Sequence, residues 1–243
     1  MDAKSYREMC DLEKQHWWFV ARRSILEFFV EKNTKPSAQI LEIGAGTGGN
    51  LEMLMRHGKV TAIEPNDFAR EKICEEFGEK ISMIKGSLPS ELGLQNQGFD
   101  LICLFDVLEH VEEDLASLSE LKKFLNPNGK IIITVPAFQF LWSLHDEKLH
   151  HHRRYNLRSL KNLIRASGFV TEKITYFNCI LFPLAASIRL LEKITNRQSS
   201  GEESHDLPPF NKFLTMIFSS EKFWLKKFNF CFGLSLLCVL KKD

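Results

Sequence analysis

The fold of this chain is decided by the sequence Leu41-Glu42-Ile43-Gly44-Ala45-Gly46-Thr47-Gly48. An apolar run that ends at Ile43 is typical of a buried strand, the glycines allow a tight turn, and a helical pattern resumes at Leu51. A second apolar run over 60–63 ends at Glu64, whose carboxylate can accept hydrogen bonds from both hydroxyls of a ribose. Strand, glycine turn, helix, strand and acid form the pattern with which a doubly wound α/β sheet binds an adenosine-containing cofactor.

The glycines satisfy two different cofactor patterns. Gly44, Gly46 and Gly49 fit G-x-G-x-x-G, and Glu64 follows at about the twenty-residue distance of a dinucleotide site. Counted from Glu42, the same loop fits E-x-G-x-G-x-G, the pattern of S-adenosylmethionine (SAM) methyltransferases. The loop alone does not separate NAD from SAM, so later segments of the chain must do so.

Two later segments carry a resemblance to a known family. They are 99–111, with the sequence FDLICLFDVLEHV, and 125–136, with the sequence LNPNGKIIITVP. They closely resemble the fourth and fifth strands of class I SAM-dependent methyltransferases of the type 11, ubiquinone/menaquinone-methylase-like group. The resemblance runs from about residue 40 to residue 169 and returns in the last strand. It implies an α/β fold with a Rossmann-like, doubly wound, seven-stranded and mostly parallel sheet, in which an antiparallel last strand inserts beside the sixth.

Pattern and composition divide the chain into four parts. Residues 1–36 are predicted to form an N-terminal helical lead-in, and 37–178 the SAM-binding Rossmann-like core. Residues 179–230 are predicted to be a helical insertion or cap, and 231–243 the final strand that completes the sheet. Core strands are expected near 39–44, 59–64, 81–85, 99–105, 130–135 and 169–177, and core helices near 48–57, 67–77, 112–125 and 157–167.

The overall composition fits one large α/β domain and argues against several functional classes. Hydrophobic residues make up 44% of the 243 residues, enough for a sizeable core. A net charge of +1 gives no basic field that would attract nucleic acid. The polar start of the chain predicts no signal peptide, and no apolar run reaches the roughly 18 residues of a membrane span. We expect a cytoplasmic protein, with peripheral contact to a membrane left open.

The resemblance implies a set of cofactor-binding residues. The backbone of the glycine loop would approach the methionine and ribose parts of SAM, Glu42 would hold the loop or the methionine ammonium, and Glu64 would hold the ribose hydroxyls. Many relatives have an aspartate at or near the position of Ser87, which bears on the adenine contact. The predicted set is Glu42, Gly44, Ala45, Gly46, Gly48, Glu64, Pro65, Ser87, Leu88, Asp106 and Val107.

Two histidine-containing segments are candidates for catalysis. His110 follows the fourth strand and is either a general base or part of a cap on the next turn. Residues 144–155, LHDEKLHHHRRY, follow the fifth strand and resemble a signature, Asp-x4-His-x-Arg-Arg-Tyr, of a subgroup of these enzymes. The predicted catalytic residues are His151, oriented by Asp146, together with His110 and Tyr155.

The arginines of the same segment could have either of two roles. Arg153 and Arg154 could clamp a carboxylate or phosphate of the substrate by bidentate hydrogen bonds, and they are predicted to bind substrate. The alternative is that Arg153, Arg154 and Tyr155 fasten the loop to the domain through ion pairs. The run could also touch RNA, but the chain has no basic surface to support that contact.

The same segment is also a candidate metal site. Its four histidines within eight positions could bind a transition-metal ion. Adjacent histidines rarely converge on one ion, however, and methyl transfer needs no metal. The sequence therefore predicts no metal.

Two aromatic segments remain open in function. Trp17 and Trp18 are typical of core packing, or of a lid that closes over SAM, and Trp18 is a candidate contact to the substrate. Residues 180–230 are rich in aromatic side chains with lysines between them. They could cap an apolar substrate pocket, lie on a membrane surface, form a homodimer interface, or simply belong to the core.

The sequence thus predicts a SAM-dependent methyltransferase that acts on a small-molecule acceptor and releases S-adenosylhomocysteine. The methyl group would go to O, N or C of an acceptor that is apolar or lipid-linked. Two alternatives stay open: an NAD-dependent oxidoreductase with the same glycine loop, and a binding protein of the SAM fold without catalytic activity.

Overall fold

One seven-stranded sheet runs through the protein in the order β3-β2-β1-β4-β5-β7-β6. The computed structural model describes residues 6, 10, 12–94, 97–187 and 208–243. The strands are β1 (Ala38–Ile43), β2 (Gly58–Ile63), β3 (Ser82–Ile84), β4 (Phe99–Phe105), β5 (Leu125–Pro136), β6 (Phe169–Phe177) and β7 (Ser235–Lys242).

The direction of the strands confirms the predicted fold. β1, β2, β3, β4 and β5 pair in parallel, whereas β7 lies between β5 and β6 and is antiparallel to both. The late antiparallel strand beside the sixth is the arrangement that the family resemblance implies. The parallel strands all end at one edge of the sheet, which is where open α/β sheets bind their ligands.

Helices cover both faces of the sheet. They are α1 (Trp17–Asn33), α2 (Leu51–Met55), α3 (Asp67–Phe77), α4 (Asp114–Leu121), α5 (Leu144–Lys148), α6 (Leu157–Ala166) and α7 (Pro208–Leu225). On one face, apolar residues of α1, α2, α3 and α7 form a continuous core with β1, β2 and β4. On the other face, α4 and α6 pack on the opposite side chains of the central strands. The strands are therefore buried on both sides and read as near-continuous apolar runs.

Several boundaries differ from the sequence prediction for local reasons. The lead-in helix is interrupted before Trp17, where the ring of His16 accepts a hydrogen bond from the Trp18 N–H and begins α1 anew. The helix predicted over 48–57 covers only Leu51–Met55, because Gly48 has a φ of +93°, outside the helical region. The helix predicted over 112–125 ends at Leu121, and β5 begins at Leu125.

The insertion is only partly described. It contains a helical stretch over 182–187 and the long helix α7, which packs along α1. Residues 188–207, which include the polar sequence NRQSSGEES at 196–204, lie outside the described residues. Among the described residues, no helix combines the length and the apolar character needed to cross a bilayer.

Candidate active site

The glycine loop connects β1 to α2 at the carboxyl edge of the sheet. Gly44 has a φ of +69°, and a Cβ placed there would lie 2.7 Å from a methyl group of Val107. The N–H groups of Gly44 and Ala45 both donate to the Ile63 carbonyl, which ties the loop to the end of β2. The loop thus needs a left-handed residue without a side chain at its first turn, as the sequence predicts.

Glu64 lies directly after β2 and faces this loop. It is 2% exposed, and its carboxylate accepts hydrogen bonds from the N–H groups of Gly46 (2.9 Å) and Asn66 (3.0 Å) and from the Tyr6 hydroxyl (3.0 Å). Burial raises the pKa of Glu64 despite these bonds. The Tyr6 contact shows that the carboxylate is placed to accept from a hydroxyl group, which is what a ribose would offer.

Glu42 lies inside the protein below the loop. It is 1% exposed; one carboxylate oxygen accepts from the Asn50 side chain at 2.9 Å, and the other has no partner among the described residues. Burial raises the pKa of Glu42 to about 8. A buried carboxylate with an unused oxygen fits a cationic ligand group nearby, such as an ammonium.

The stability of the cofactor-free Glu42→Gln variant is expected to fall less with rising pH than that of the wild type. Because the pKa of Glu42 is raised from 4.5 to about 8, the stability that the neutral carboxyl provides is present at low pH and lost as pH rises toward 8. Urea unfolding at pH 5 and pH 8 should show the free energy of unfolding of the wild type falling by a few kcal/mol more than that of the variant. The exposed Glu52→Gln should follow the wild type; identical profiles for Glu42→Gln and wild type would contradict the expectation.

Asp106 directly follows β4 and pairs with an arginine of α1. Its φ is +57°, in the left-handed region that side-chain-bearing residues adopt uncommonly, although aspartate does so more often than most. Its carboxylate contacts Arg22 at 2.7 Å and accepts from the Thr134 hydroxyl at 3.0 Å. The Arg22 guanidinium is buried and also donates to Thr134 at 2.6 Å. α1 therefore contributes a buried charge to the end of β4.

The sequence prediction missed Arg22 as a site residue. The signal was present, because Arg22 lies three residues before Ile25 and four before Leu26 on the apolar face of α1. A lone arginine among residues that face the core needs a buried acidic partner. Its partner lies 84 positions away in sequence, and no local pattern links the two.

The remaining predicted cofactor residues lie along the same edge. Ser87 exchanges two backbone hydrogen bonds with Glu91, at 2.8 and 3.0 Å, just after β3. Leu88 packs against the core, and Pro65, next to Glu64, is exposed. The structure thus brings the residues predicted around the ribose and adenine to the ends of the neighbouring strands β2 and β3.

Asp146 is the centre of a second buried cluster, formed by the segment after β5. It has no exposed surface; its carboxylate lies 2.9 Å from Nδ1 of His151 and accepts from Arg154 at 2.7 and 3.0 Å and from the Ser143 N–H at 2.9 Å. The hydrogen bonds from His151 and Arg154 outweigh the burial and hold the pKa of Asp146 well below its usual range. Asp146 is therefore an anion whose carboxylate fixes the orientation of the His151 imidazole.

The arginines and the tyrosine of this segment are engaged by the protein itself. Arg154 is buried, and its third contact is the Ala137 carbonyl at 3.2 Å, so each of its three guanidinium nitrogens already donates to the protein. Arg153 pairs with Asp114 at 2.7 Å and remains partly exposed. The buried Tyr155 hydroxyl donates to Asp114 at 2.8 Å. These contacts are the loop-fastening ion pairs that the sequence left as the alternative.

The third group joins the segments after β4 and β5. The rings of His110 and His151 pack edge to face with centroids 4.6 Å apart, and Glu109 lies beside them, 1% exposed. Burial and the neighbouring His151 lower the pKa of His110 to about 4, so its ring is neutral at pH 7. Burial and the charge of Asp106 raise the pKa of Glu109. The two histidines predicted from separate segments thus meet in one site.

Comparisons with known proteins identify the family and the fold of the chain. A family model described as a methyltransferase domain matches residues 15–174. An uncharacterized protein of Methanocaldococcus jannaschii is 31% identical over 78% of this chain and 91% of its own length. The mitochondrial ubiquinone biosynthesis O-methyltransferase of Schizosaccharomyces pombe is 31% identical over 44% of this chain and 41% of its own length.

A solved structure also resembles the fold. It is the Burkholderia thailandensis 1,6-didemethyltoxoflavin-N1-methyltransferase with bound 1,6-didemethyltoxoflavin and S-adenosylhomocysteine. It superposes with a TM-score of 0.59 over 99% of this chain and 85% of its own, at 14% sequence identity. At that identity the similarity concerns the fold alone.

Proposed function

The chain belongs to the methyltransferase-domain family and has the class I fold of SAM-dependent methyltransferases, and we propose that it methylates a hydroxyl oxygen. The acceptor would be a small molecule that is apolar or lipid-linked. The observation that carries the choice of oxygen is the pair of His151 and buried Asp146, 2.9 Å apart, next to the end of β4. A hydroxyl must lose its proton on methylation, and an oriented imidazole can accept it.

The cofactor residues fit SAM on their contacts. Glu64 would hold the ribose hydroxyls in the place where it now accepts from Tyr6, and the unused oxygen of Glu42 suits the methionine ammonium. When bound, SAM supplies an activated methyl group on a sulfonium, which is already a good leaving group. The protein's own task is then to align the acceptor and to exclude water.

The acceptor side is built from the ends of β4 and β5. Asp106, fixed by Arg22 and Thr134, would line the methionine end of the cofactor site. His151 would accept the proton of the acceptor hydroxyl on Nε2, because Nδ1 faces Asp146. We propose that Arg154 positions this base through Asp146 and that Tyr155 fastens the loop through Asp114, rather than that either contacts substrate, since both side chains are buried and hydrogen-bonded within the protein.

The test is methyl transfer from methyl-labelled SAM to a panel of phenols and alcohols with isoprenoid or acyl chains, beside matched amines. The oxygen ether should be the product, and His151→Ala should lower kcat by about 10²- to 10⁴-fold, the usual contribution of a general base. His152→Ala is the matched control, because that neighbouring side chain is exposed, and it should keep wild-type activity. Turnover confined to amines and insensitive to His151→Ala would contradict the proposal.

We further propose that α7 places the protein on a membrane surface that holds the acceptor. One face of α7 packs on the core through Phe218 and Leu225, whereas its opposite face exposes large apolar side chains. These are Phe210, Phe213, Met216, Phe223 and Trp224, continued by Phe228. Exposed lysines at 212, 226 and 227 lie alongside, which suits the negative surface of an anionic bilayer.

The Phe223→Ser/Trp224→Ser double variant is expected to weaken binding to anionic lipid vesicles by at least about tenfold, because it removes two side chains that would insert among the lipid tails. Sedimentation with phosphatidylglycerol vesicles measures the effect. Leu115→Ser, a change of another exposed apolar residue on α4, is the control and should bind like the wild type. If the wild type does not bind vesicles but forms a dimer, and the double variant is a monomer, this face is a homodimer interface instead.

A further inference from the structure

The strongest unexplained feature of the molecule is the carboxylate of Glu109. It is 1% exposed, and within the described part of the chain neither oxygen has a hydrogen-bond partner on another residue. An unpaired carboxylate is among the most costly groups to bury, and native proteins compensate it with a proton, a cation or a metal ion. The arginines nearest in space are already paired, Arg22 with Asp106 and Arg154 with Asp146.

Two imidazoles lie next to this carboxylate. Glu109, His110 and His151 each present one ligand atom, and these atoms all lie within 4.8 Å of one another. Nitrogen and oxygen ligands at about 2.1 Å around a tetrahedral ion would be about 3.4 Å apart. Small side-chain rotations would therefore close the three groups around one ion.

Both imidazoles are oriented in the way that metal-bound histidines usually are. Nδ1 of His151 faces the Asp146 carboxylate at 2.9 Å, and the His110 ring is hydrogen-bonded to the backbone of Leu149. A metal-ligating histidine typically donates its second nitrogen to a carboxylate or a backbone carbonyl, which fixes the ring and its tautomer. Arg154 in turn holds Asp146, so the orienting carboxylate is itself fixed.

We propose that Glu109, His110 and His151 form a binding site for one divalent transition-metal ion. Two imidazoles and one carboxylate are a ligand set suited to Zn²⁺ and to Fe²⁺, Co²⁺ or Ni²⁺ rather than to Mg²⁺ or Ca²⁺. Three protein ligands leave a coordination position open, as in sites that bind a substrate or water. The site combines ligands 41 residues apart, whereas the adjacent histidines that the sequence analysis weighed as a metal site contribute only His151.

A role for the ion in the reaction rests on the proposed function. The ligand pair Glu109-His110 begins three residues after Asp106, at the methyl end of the cofactor site. Because the ligand atom of His151 would be Nε2, the nitrogen to which the proposed function gives the acceptor's proton, the ion-bound chain would lack that base, and we expect bound Zn²⁺ to inhibit methyl transfer. The existence of the metal site does not depend on this role.

The test is metal binding by the full chain after removal of metal with a chelator. Calorimetry with Zn²⁺ should show one equivalent bound, and Co²⁺ should give the visible absorption bands of a tetrahedral or five-coordinate site. His151→Ala and Glu109→Gln should each lower the affinity at least about tenfold, and Asp146→Asn by about 10- to 100-fold through loss of orientation. His152→Ala should bind like the wild type.

S-adenosylhomocysteine binding, measured on the same samples, separates the outcomes. Variants that keep it are folded, so their loss of metal supports the site directly. A wild type that binds S-adenosylhomocysteine but no metal would overturn the metal site and leave the proposed function standing. Equal Zn²⁺ binding by wild type, His151→Ala and Glu109→Gln would also overturn it, because the ion would then lie elsewhere.

Discussion

Glu64→Ala is expected to lower the affinity for S-adenosylhomocysteine by at least about 100-fold. A carboxylate that accepts from two ribose hydroxyls makes two charge-assisted hydrogen bonds, each contributing about 1.5–3 kcal/mol, and every 1.4 kcal/mol is a factor of ten. The side chain is buried at the end of β2, and it already accepts a hydrogen bond from the Tyr6 hydroxyl, whose place a ribose hydroxyl would take. Calorimetry with the purified variant measures the loss.

Two controls separate the ribose contact from the fold. Glu64→Gln keeps an oxygen that can accept from the N–H groups of Gly46 or Asn66, so its loss of affinity should be smaller than that of Glu64→Ala. Glu71→Ala, an exposed change on α3, should leave the affinity unchanged. If Glu64→Ala unfolds at the wild-type denaturant concentration and still binds S-adenosylhomocysteine with wild-type affinity, Glu64 does not hold the ribose.

Asp146→Ala is expected to lower the free energy of unfolding by about 3–5 kcal/mol. The substitution removes the partner of the buried Arg154 guanidinium, and leaving one member of a buried ion pair uncompensated typically costs this much. It also removes the acceptor of the N–H of Ser143, the residue at the N-cap position of α5. Urea denaturation followed by circular dichroism measures the change.

The neighbouring Glu147→Ala serves as the control, because Glu147 is exposed and a surface change should stay within about 0.5 kcal/mol. The pH dependence gives an independent check. Since the pKa of Asp146 is lowered in the folded protein, its contribution is present above the unfolded pKa of about 3.9 and is lost as pH falls below it. Equal stability of Asp146→Ala and Glu147→Ala at pH 7 would show that the cluster does not support the fold.

The sheet was predictable because its signals are local. Each parallel strand is an apolar run that ends in a turn, and the glycine loop and Glu64 mark the edge where we propose that the cofactor binds. The boundaries of β6 match the predicted ones. The break in the lead-in helix at His16 was not predictable from the apolar pattern, because the start of α1 is set by the ring of His16, which accepts from the Trp18 N–H.

The site was predictable only where one segment carries the chemistry. Asp146 and His151 are five residues apart, so their pairing is visible in the sequence. Arg22 with Asp106, and Glu109 with His151, come together through packing of distant elements, and the sequence holds no distance information for them. The roles of the arginines in the segment after β5 depended on which acid lay nearest, which is a property of the folded loop.

The most direct test of the account is a calorimetric titration of the wild-type chain with S-adenosylhomocysteine and, separately, with NAD. We predict that one S-adenosylhomocysteine binds at micromolar concentration and that NAD does not bind, because the chain belongs to the methyltransferase-domain family and the contacts proposed for Glu42 and Glu64 are to the ammonium and the ribose hydroxyls of SAM. Binding of NAD without S-adenosylhomocysteine would contradict it, and so would a folded chain that binds neither.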